Sequence, residues 1–147
     1  MGSGLTRDQE AVILGTLLGD GSIEQRWKYP RLRIDHSQAQ KEYVFWKYGM
    51  LQHIATRTPR ILFEKDTRSG KTFARWYFST KAISELRFYY NLFYREKRKV
   101  ITDELIYHFK QPLSLAVWLM DDGYKRNDCD ALRLSTDCFS HKENSVL

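Results

Sequence analysis

A chain of 147 residues has room for one domain with a core of its own and little more. At 42% hydrophobic and 14% aromatic it is not a disordered segment, and with only two cysteines, Cys129 and Cys138, it is neither a disulfide scaffold nor a four-cysteine zinc site. A formal net charge of +6 favours an anionic partner, nucleic acid before a membrane, and no apolar run is long enough to span a bilayer.

The N-terminus lacks the apolar stretch of a signal peptide. Thr6, followed three residues later by Gln9, has the form of a helix-capping box. The helix it opens, residues 11–19, is apolar on nearly all sides, which marks a buried helix. Asp20 and Gly21 end it, and Gly21 suits the left-handed position past a helix end. Residues 31–36 alternate strictly, with Leu32, Ile34 and His36 on one side and Arg31, Arg33 and Asp35 on the other, as in a half-buried strand. Ser37 and Gln40 read as a second capping box, ahead of a helix with Ala39, Tyr43, Trp46 and Met50 at helical spacing. Strands near 60–66 and 72–79 flank a hairpin turn at 67–71. A helix over 81–94, with Ile83, Leu86, Tyr90 and Phe93 on one side, precedes a basic run at 95–99. Pro112 suits the first turn of a second fully apolar helix, 113–120, which ends in Asp121, Asp122 and Gly123. Residues 131–136 alternate as one more strand, and another helix begins near Ser140.

An apolar helix ending in an acid and a glycine, followed by a basic alternating strand, thus occurs twice. The first unit reads αββαββα less one strand, and the second shows only its opening helix and one strand. This predicts an α+β fold with a first subdomain over 5–100 and an incomplete second over 101–147. Gly15 and Gly19 share a helix face, and small residues there let another helix backbone approach closely. The natural partner is the second apolar helix. Side by side, the two bring Asp20 and Asp122 out at one end. That is poor for stability, because each carboxylate meets the negative end of a helix dipole and the pair repels by roughly 1–4 kcal/mol. A proton or a cation must neutralise it. Magnesium fits, being hard, oxygen-seeking and content with a few carboxylates plus a substrate phosphate. Such ions activate a water and steady the leaving oxygen of a phosphodiester.

The stretches Ile13 to Gly21 and Leu115 to Gly123 resemble the LAGLIDADG signature. From about residue 6 onward the chain resembles the monomeric, two-motif branch of the LAGLIDADG homing endonucleases, whose second motif has the form Met120-Asp121-Asp122-Gly123 takes here. The resemblance implies site-specific, double-strand DNA cleavage leaving short 3′ overhangs. It implies Mg2+ as cofactor, with Mn2+ as a substitute and Ca2+ supporting binding without cleavage. It also implies subdomains whose curved sheets lie on the DNA major groove, and an origin in an intron or an intein. Asp20 and Asp122 are then the catalytic residues and metal ligands, with Gly19 and Asp121 beside them in the metal set. Lys99, ahead of Val100 and Ile101, stands where the branch carries a lysine that orients water and stabilises charge at the scissile phosphate. Simple phosphate contact within a basic run is its other reading. A complementary fragment would complete the second subdomain.

A sheet in the major groove reads base edges, and the outward face of 31–36 offers Arg31 and Arg33. The hairpin offers Lys65, Arg68, Lys71 and Arg75. Lys65 and Arg75 share odd parity with Ile61, Phe63 and Phe73, so that face reads as mixed. Lys97 and Arg98 add to the basic run, and Lys125, Arg126 and Arg133 would serve a second half-site. His36, His53, His108 and His141 form no ligand-spaced pair, and His36 reads as a satisfied core residue; Trp27, Trp46, Trp76 and Trp118 read as core. Two rivals share the fold, an RNA maturase acting on its intron and a DNA-binding protein without cleavage, and the intact aspartates argue against the second. No membrane partner is expected. The expected surroundings are intracellular and reducing: the cytoplasm or nucleoid of a microbe, or an organelle.

Overall fold

A computed structural model describes residues 4–26 and 28–147. The expected capping box opens α1 (Arg7–Leu18): Gln9 N–H donates to Thr6 Oγ1, and Thr6 N–H donates to the Gln9 side chain. Every residue from Ala11 to Leu18 is buried. Then come β1 (Ser22–Glu24), β2 (Arg31–Ser37), a 3-10 turn (Gln38–Gln40), α2 (Lys41–Leu51), β3 (Arg60–Lys65), β4 (Thr72–Ser79) and α3 (Leu86–Phe93). This is αββαββα in full. The strand that alternation did not reveal is β1, whose 3 residues are too few to show a period. A short hairpin of β5 (Tyr94–Arg95) and β6 (Arg98–Lys99) leads to α4 (Asp103–His108) and α5 (Pro112–Asp122), with Pro112 in the first turn as expected. An antiparallel pair, β7 (Gly123–Lys125) and β8 (Leu132–Leu134), and α6 (His141–Asn144) end the chain. Among the described residues no helix is long and apolar enough to cross a membrane.

The first four strands form one antiparallel sheet in the order β1-β2-β4-β3. Residues directly opposite in such a sheet share a face. One face carries the pairs Ile23 and Leu32, Ile34 and Phe78, and His36 and Trp76. It packs into a core with Val12, Ile13 and Leu17 of α1 and Val44 and Leu51 of α2. The other face carries Glu24 with Arg31, Asp35 with Tyr77, and Arg75 with Leu62.

Several local expectations give way to geometry. Gly21 is not left-handed; among the described glycines only Gly70 has positive φ. A Cβ on Gly21 would stand 2.3 Å from Thr16 Cγ2 and 2.8 Å from the Thr16 carbonyl oxygen, so a side chain has no room where the chain doubles back over the last turn. Ser37 makes no capping hydrogen bond. The helix that follows turns Val44, Lys47 and Leu51 inward, leaving Trp46, read as core, 42% exposed. The helix expected over 81–94 begins only at Leu86. Lys65 pairs with Thr72, and Arg75 with Leu62, so these two cations lie on opposite faces of the hairpin despite their shared parity. The fully apolar second helix is buried only through Ser114, Val117 and Trp118, while Leu115 and Met120 are 44% and 55% exposed. Trp118 is core and Trp76 half-buried; Trp27 lies outside the described residues.

Candidate active site at the ends of two paired helices

The apolar helices α1 and α5 meet at the two glycines. A Cβ on Gly15 would stand 2.4 Å from the Ser114 carbonyl oxygen and 2.7 Å from Val117 Cβ, and one on Gly19 would stand 2.4 Å from Asp121 Cβ. Gly19 and Asp121 hold the same position in the two motifs, so one motif gives up its side chain to make room for the other's. The Gly15 contact is with backbone, and any added atom there must move a helix. Gly15→Ala is expected to cost about 2 kcal/mol and to lower the melting temperature by about 4–8 °C. An unchanged melting curve would contradict this close approach.

At the C-terminal ends of these helices the acids converge. Asp20 N–H donates to Asp121 Oδ2 at 3.1 Å. Asp122 follows in α5, near enough to Asp20 to respond to its charge: burial, then the charges of Asp20 and Asp121, push its carboxyl up to about 6. Asp20 moves the other way, held below the usual carboxylate range by the His36 ring beside it. Its side chain is 50% exposed. The site therefore holds one settled carboxylate and one that gives up its proton reluctantly.

Lys99 is brought to the same place. Its Nζ donates to the Gly19 and Gly21 carbonyls, at 3.2 and 2.8 Å, on either side of Asp20. Burial draws this ammonium below its ordinary pKa. The hairpin that aims it turns through Glu96 and Lys97, both with positive φ (49° and 66°), as a two-residue turn between twisted strands demands. Lys97 and Arg98 remain exposed.

Beneath the aspartates lies a polar cluster the sequence did not disclose. The Asp121 carboxylate, fully enclosed, accepts from Lys47 Nζ and Tyr43 OH, each at 2.8 Å to Oδ1. Lys47 is fully buried, and its Nζ lies 3.2 Å from His36 Nε2. The other ring nitrogen of His36, Nδ1, is 3.5 Å from Asp20 Oδ2. His36 is thus buried on the apolar side, as expected, but it is not a satisfied core residue: its Nδ1 makes no hydrogen bond among the described residues, and the ring lies between the site's acid and a buried ion pair. Asp121 and Gly19, both expected in the metal set, have their oxygens engaged internally: Asp121 by Lys47, Tyr43 and the Asp20 amide, Gly19 by Lys99. These bonds fix both residues within the site. The one sequence signal for the cluster was Lys47 on the helical stripe of Val44 and Leu51, a cation where an apolar residue belongs.

The arginines of the outward sheet face are held by acids. Arg31 donates to Glu24 (2.6 Å), Arg33 reaches Asp35 (3.4 Å) and lies over the Tyr77 ring, and Arg75 Nε donates to Asp35 (3.1 Å). Arg68 and Lys71 are exposed in the hairpin turn, which Asp66 closes by accepting from Arg68 N–H and Ser69 N–H. In β7 and β8, Lys125 pairs with Asp130 (3.2 Å), Arg126 Nε with Asp128 (2.7 Å), and Arg133 is exposed.

The family model described as the LAGLIDADG DNA endonuclease family matches residues 10–147. DNA endonuclease I-ChuI of Chlamydomonas applanata is 31% identical over 152 residues, spanning 92% of this chain and 67% of that protein. Cytochrome b mRNA maturase bI2 of Saccharomyces cerevisiae is 28% identical over 147 residues, spanning 93% of this chain and 34% of the maturase. Among solved structures, the homing endonuclease I-WcaI bound to its DNA recognition sequence matches with a TM-score of 0.89, over 99% of this chain and 66% of that one. At 24% identity this is a likeness of fold.

Proposed function

Because this chain belongs to the LAGLIDADG DNA endonuclease family, we propose that it acts as a site-specific homing endonuclease, hydrolysing both strands of a DNA target with Mg2+ held by Asp20 and Asp122. The observation that carries this is the convergence of Asp20, Asp122 and Lys99 at the ends of two helices that touch through glycine. The donor set suits a hard divalent ion. Among the described residues no three His, Cys, Asp or Glu side chains are grouped to hold a metal, so two carboxylates would be completed by water and DNA phosphate, the kind of shell Mg2+ accepts. The reluctance of Asp122 to ionise fits a place for a cation. A bound ion would supply a polarised water and a counter-charge for the leaving oxygen. Asp20, kept ionised by its neighbour, would be the ready ligand, and Asp122 would be the second, its raised pKa brought back down by the charge of a bound cation. Lys99 holds a fixed positive charge beside Asp20 for an incoming phosphate.

Recognition is assigned to the outward face of the sheet. Arg31, Arg33 and Arg75 would exchange Glu24 and Asp35 for phosphates or guanine edges. Arg68 and Lys71 would extend that surface at the hairpin turn, while Lys65 lies on the opposite face of the hairpin. Lys97 and Arg98 lie beside Lys99 on the short β5–β6 hairpin, and Lys125, Arg126 and Arg133 would serve the second half-site.

The test is selection of cleaved duplexes from a randomised DNA library in Mg2+, with Ca2+ and EDTA as controls. One family of targets cut only in Mg2+ or Mn2+ is expected. No cleaved class in either metal overturns the proposal. Binding in Ca2+ should weaken with a log–log salt slope of about −4.5 if five phosphates are neutralised. Since the chain spans 66% of I-WcaI, a parallel arm adds a fragment carrying the rest of a second subdomain, which is expected to raise the rate. The likeness to a yeast mRNA maturase favours one second reading, assistance to intron splicing. An RNA bound as tightly as the selected DNA, and spliced only with the protein present, would establish it.

A further inference from the structure

We propose that His36 is the positioning residue for Asp20, and that Lys47, anchored on Asp121, sets the tautomer with which His36 does so. The proposal rests on the nuclease reading for its effect on cleavage, but its geometry stands apart from it. Lys47 Nζ carries only donors. It lies 2.8 Å from Asp121 Oδ1 and 3.2 Å from His36 Nε2, so Nε2 must accept. The ring proton is then on Nδ1, the atom 3.5 Å from Asp20 Oδ2. A buried imidazole with a lysine on one side and a half-exposed carboxylate on the other therefore holds a buried N–H that makes no hydrogen bond among the described residues, with the Asp20 carboxylate 3.5 Å away.

The same cluster holds the backbone. Asp121 Oδ2 accepts from Asp20 N–H (3.1 Å), so one acid in α5 grips the residue that His36 steers by its side chain. Tyr43 OH closes the far side of Asp121, donating 2.8 Å to Oδ1 and also lying 3.1 Å from the Val117 carbonyl oxygen. The cluster thus draws on β2, α2 and α5 to orient one carboxylate at the end of α1. With α2 and β2 belonging to the first unit and Asp121 to the second motif, the orientation of Asp20 depends on the two helices being correctly docked.

Two measurements test this. The first is nitrogen NMR of the His36 ring in the metal-free chain. Nδ1 is expected to be protonated and Nε2 bare; the opposite tautomer overturns the proposal whether or not the chain cuts DNA. The second compares three variants on the selected target under single turnover. His36→Leu should lower the cleavage rate about 10- to 100-fold and raise the Mg2+ concentration needed for half-maximal rate, with DNA affinity in Ca2+ unchanged. His36→Asn, whose amide nitrogen stands in for Nδ1, should recover most of the rate. His36→Gln, whose amide reaches only toward Lys47, should not. Equal rates for Asn and Gln, or a wild-type rate for Leu, overturn the positioning role. A wild type that cuts no DNA while its His36 shows the Nδ1–H tautomer would sink the nuclease reading and leave the geometry intact.

Discussion

Replacing Asp20 and Asp122 together by asparagine is expected to lower double-strand cleavage by at least about three orders of magnitude, with target binding in Ca2+ changed only a few-fold. The amides keep the shape of the carboxylates but bind a hard cation weakly, so loss of rate without loss of affinity separates chemistry from recognition. Residual nicking near the wild-type rate would move the chemistry elsewhere on the molecule. The single variant Asp122→Asn carries its own internal check. In the folded protein this carboxyl sits at about 6, above its ordinary 3.8. Between those values the folded chain holds a proton that the unfolded chain has lost, so stability falls as pH rises through that window and stays lower above it. Asparagine never ionises and escapes that cost. Allowing for the partial exposure of the group, the gain is about 1 kcal/mol at neutral pH, or about 2–4 °C in melting temperature. The difference from wild type should vanish below the ordinary value. A variant that loses cleavage while gaining stability is what a site built around missing positive charge requires; a destabilised Asp122→Asn would argue that the acids do not repel.

The second large effect concerns Lys47. Its ammonium and the Asp121 carboxylate are both fully enclosed, 2.8 Å apart. Lys47→Met is expected to destabilise the chain by about 3–5 kcal/mol, because it leaves a buried carboxylate without a cation. That corresponds to a fall of about 10–15 °C in melting temperature for a chain of this size. Lys47→Met combined with Asp121→Asn should recover most of the loss, since the stranded charge is then gone while the acceptor for Tyr43 survives. Urea or thermal unfolding of the four proteins in the cycle measures the coupling directly. Additive losses would mean that the two groups do not act as a pair.

Much of the architecture follows from periodicity. The buried character of α1, the half-buried alternation of β2, the Thr6 and Gln9 cap and the repeat of helix, acid and glycine are local patterns, readable because side-chain spacing along a helix or strand is set by backbone geometry. Gly15 and Gly19 signalled a close helix contact, and the docked α5 fills that space with the Ser114 carbonyl and Asp121. Local patterns stop being informative where faces of separate strands must be matched. Lys65 and Arg75 agree in parity and still lie on opposite sides of their hairpin, because the register of the turn, not the count along each strand, decides the face. They stop as well where a charge is neutralised through space. From the sequence, His36 reads as a core histidine, Tyr43 as part of a helical stripe and Asp121 as a member of the metal set, while Lys47 carries no assignment. Only the docking of α5 against the first unit brings them within hydrogen-bonding reach, since burial forbids a lone charge and the chain must supply its partner from whichever element lies nearest in three dimensions.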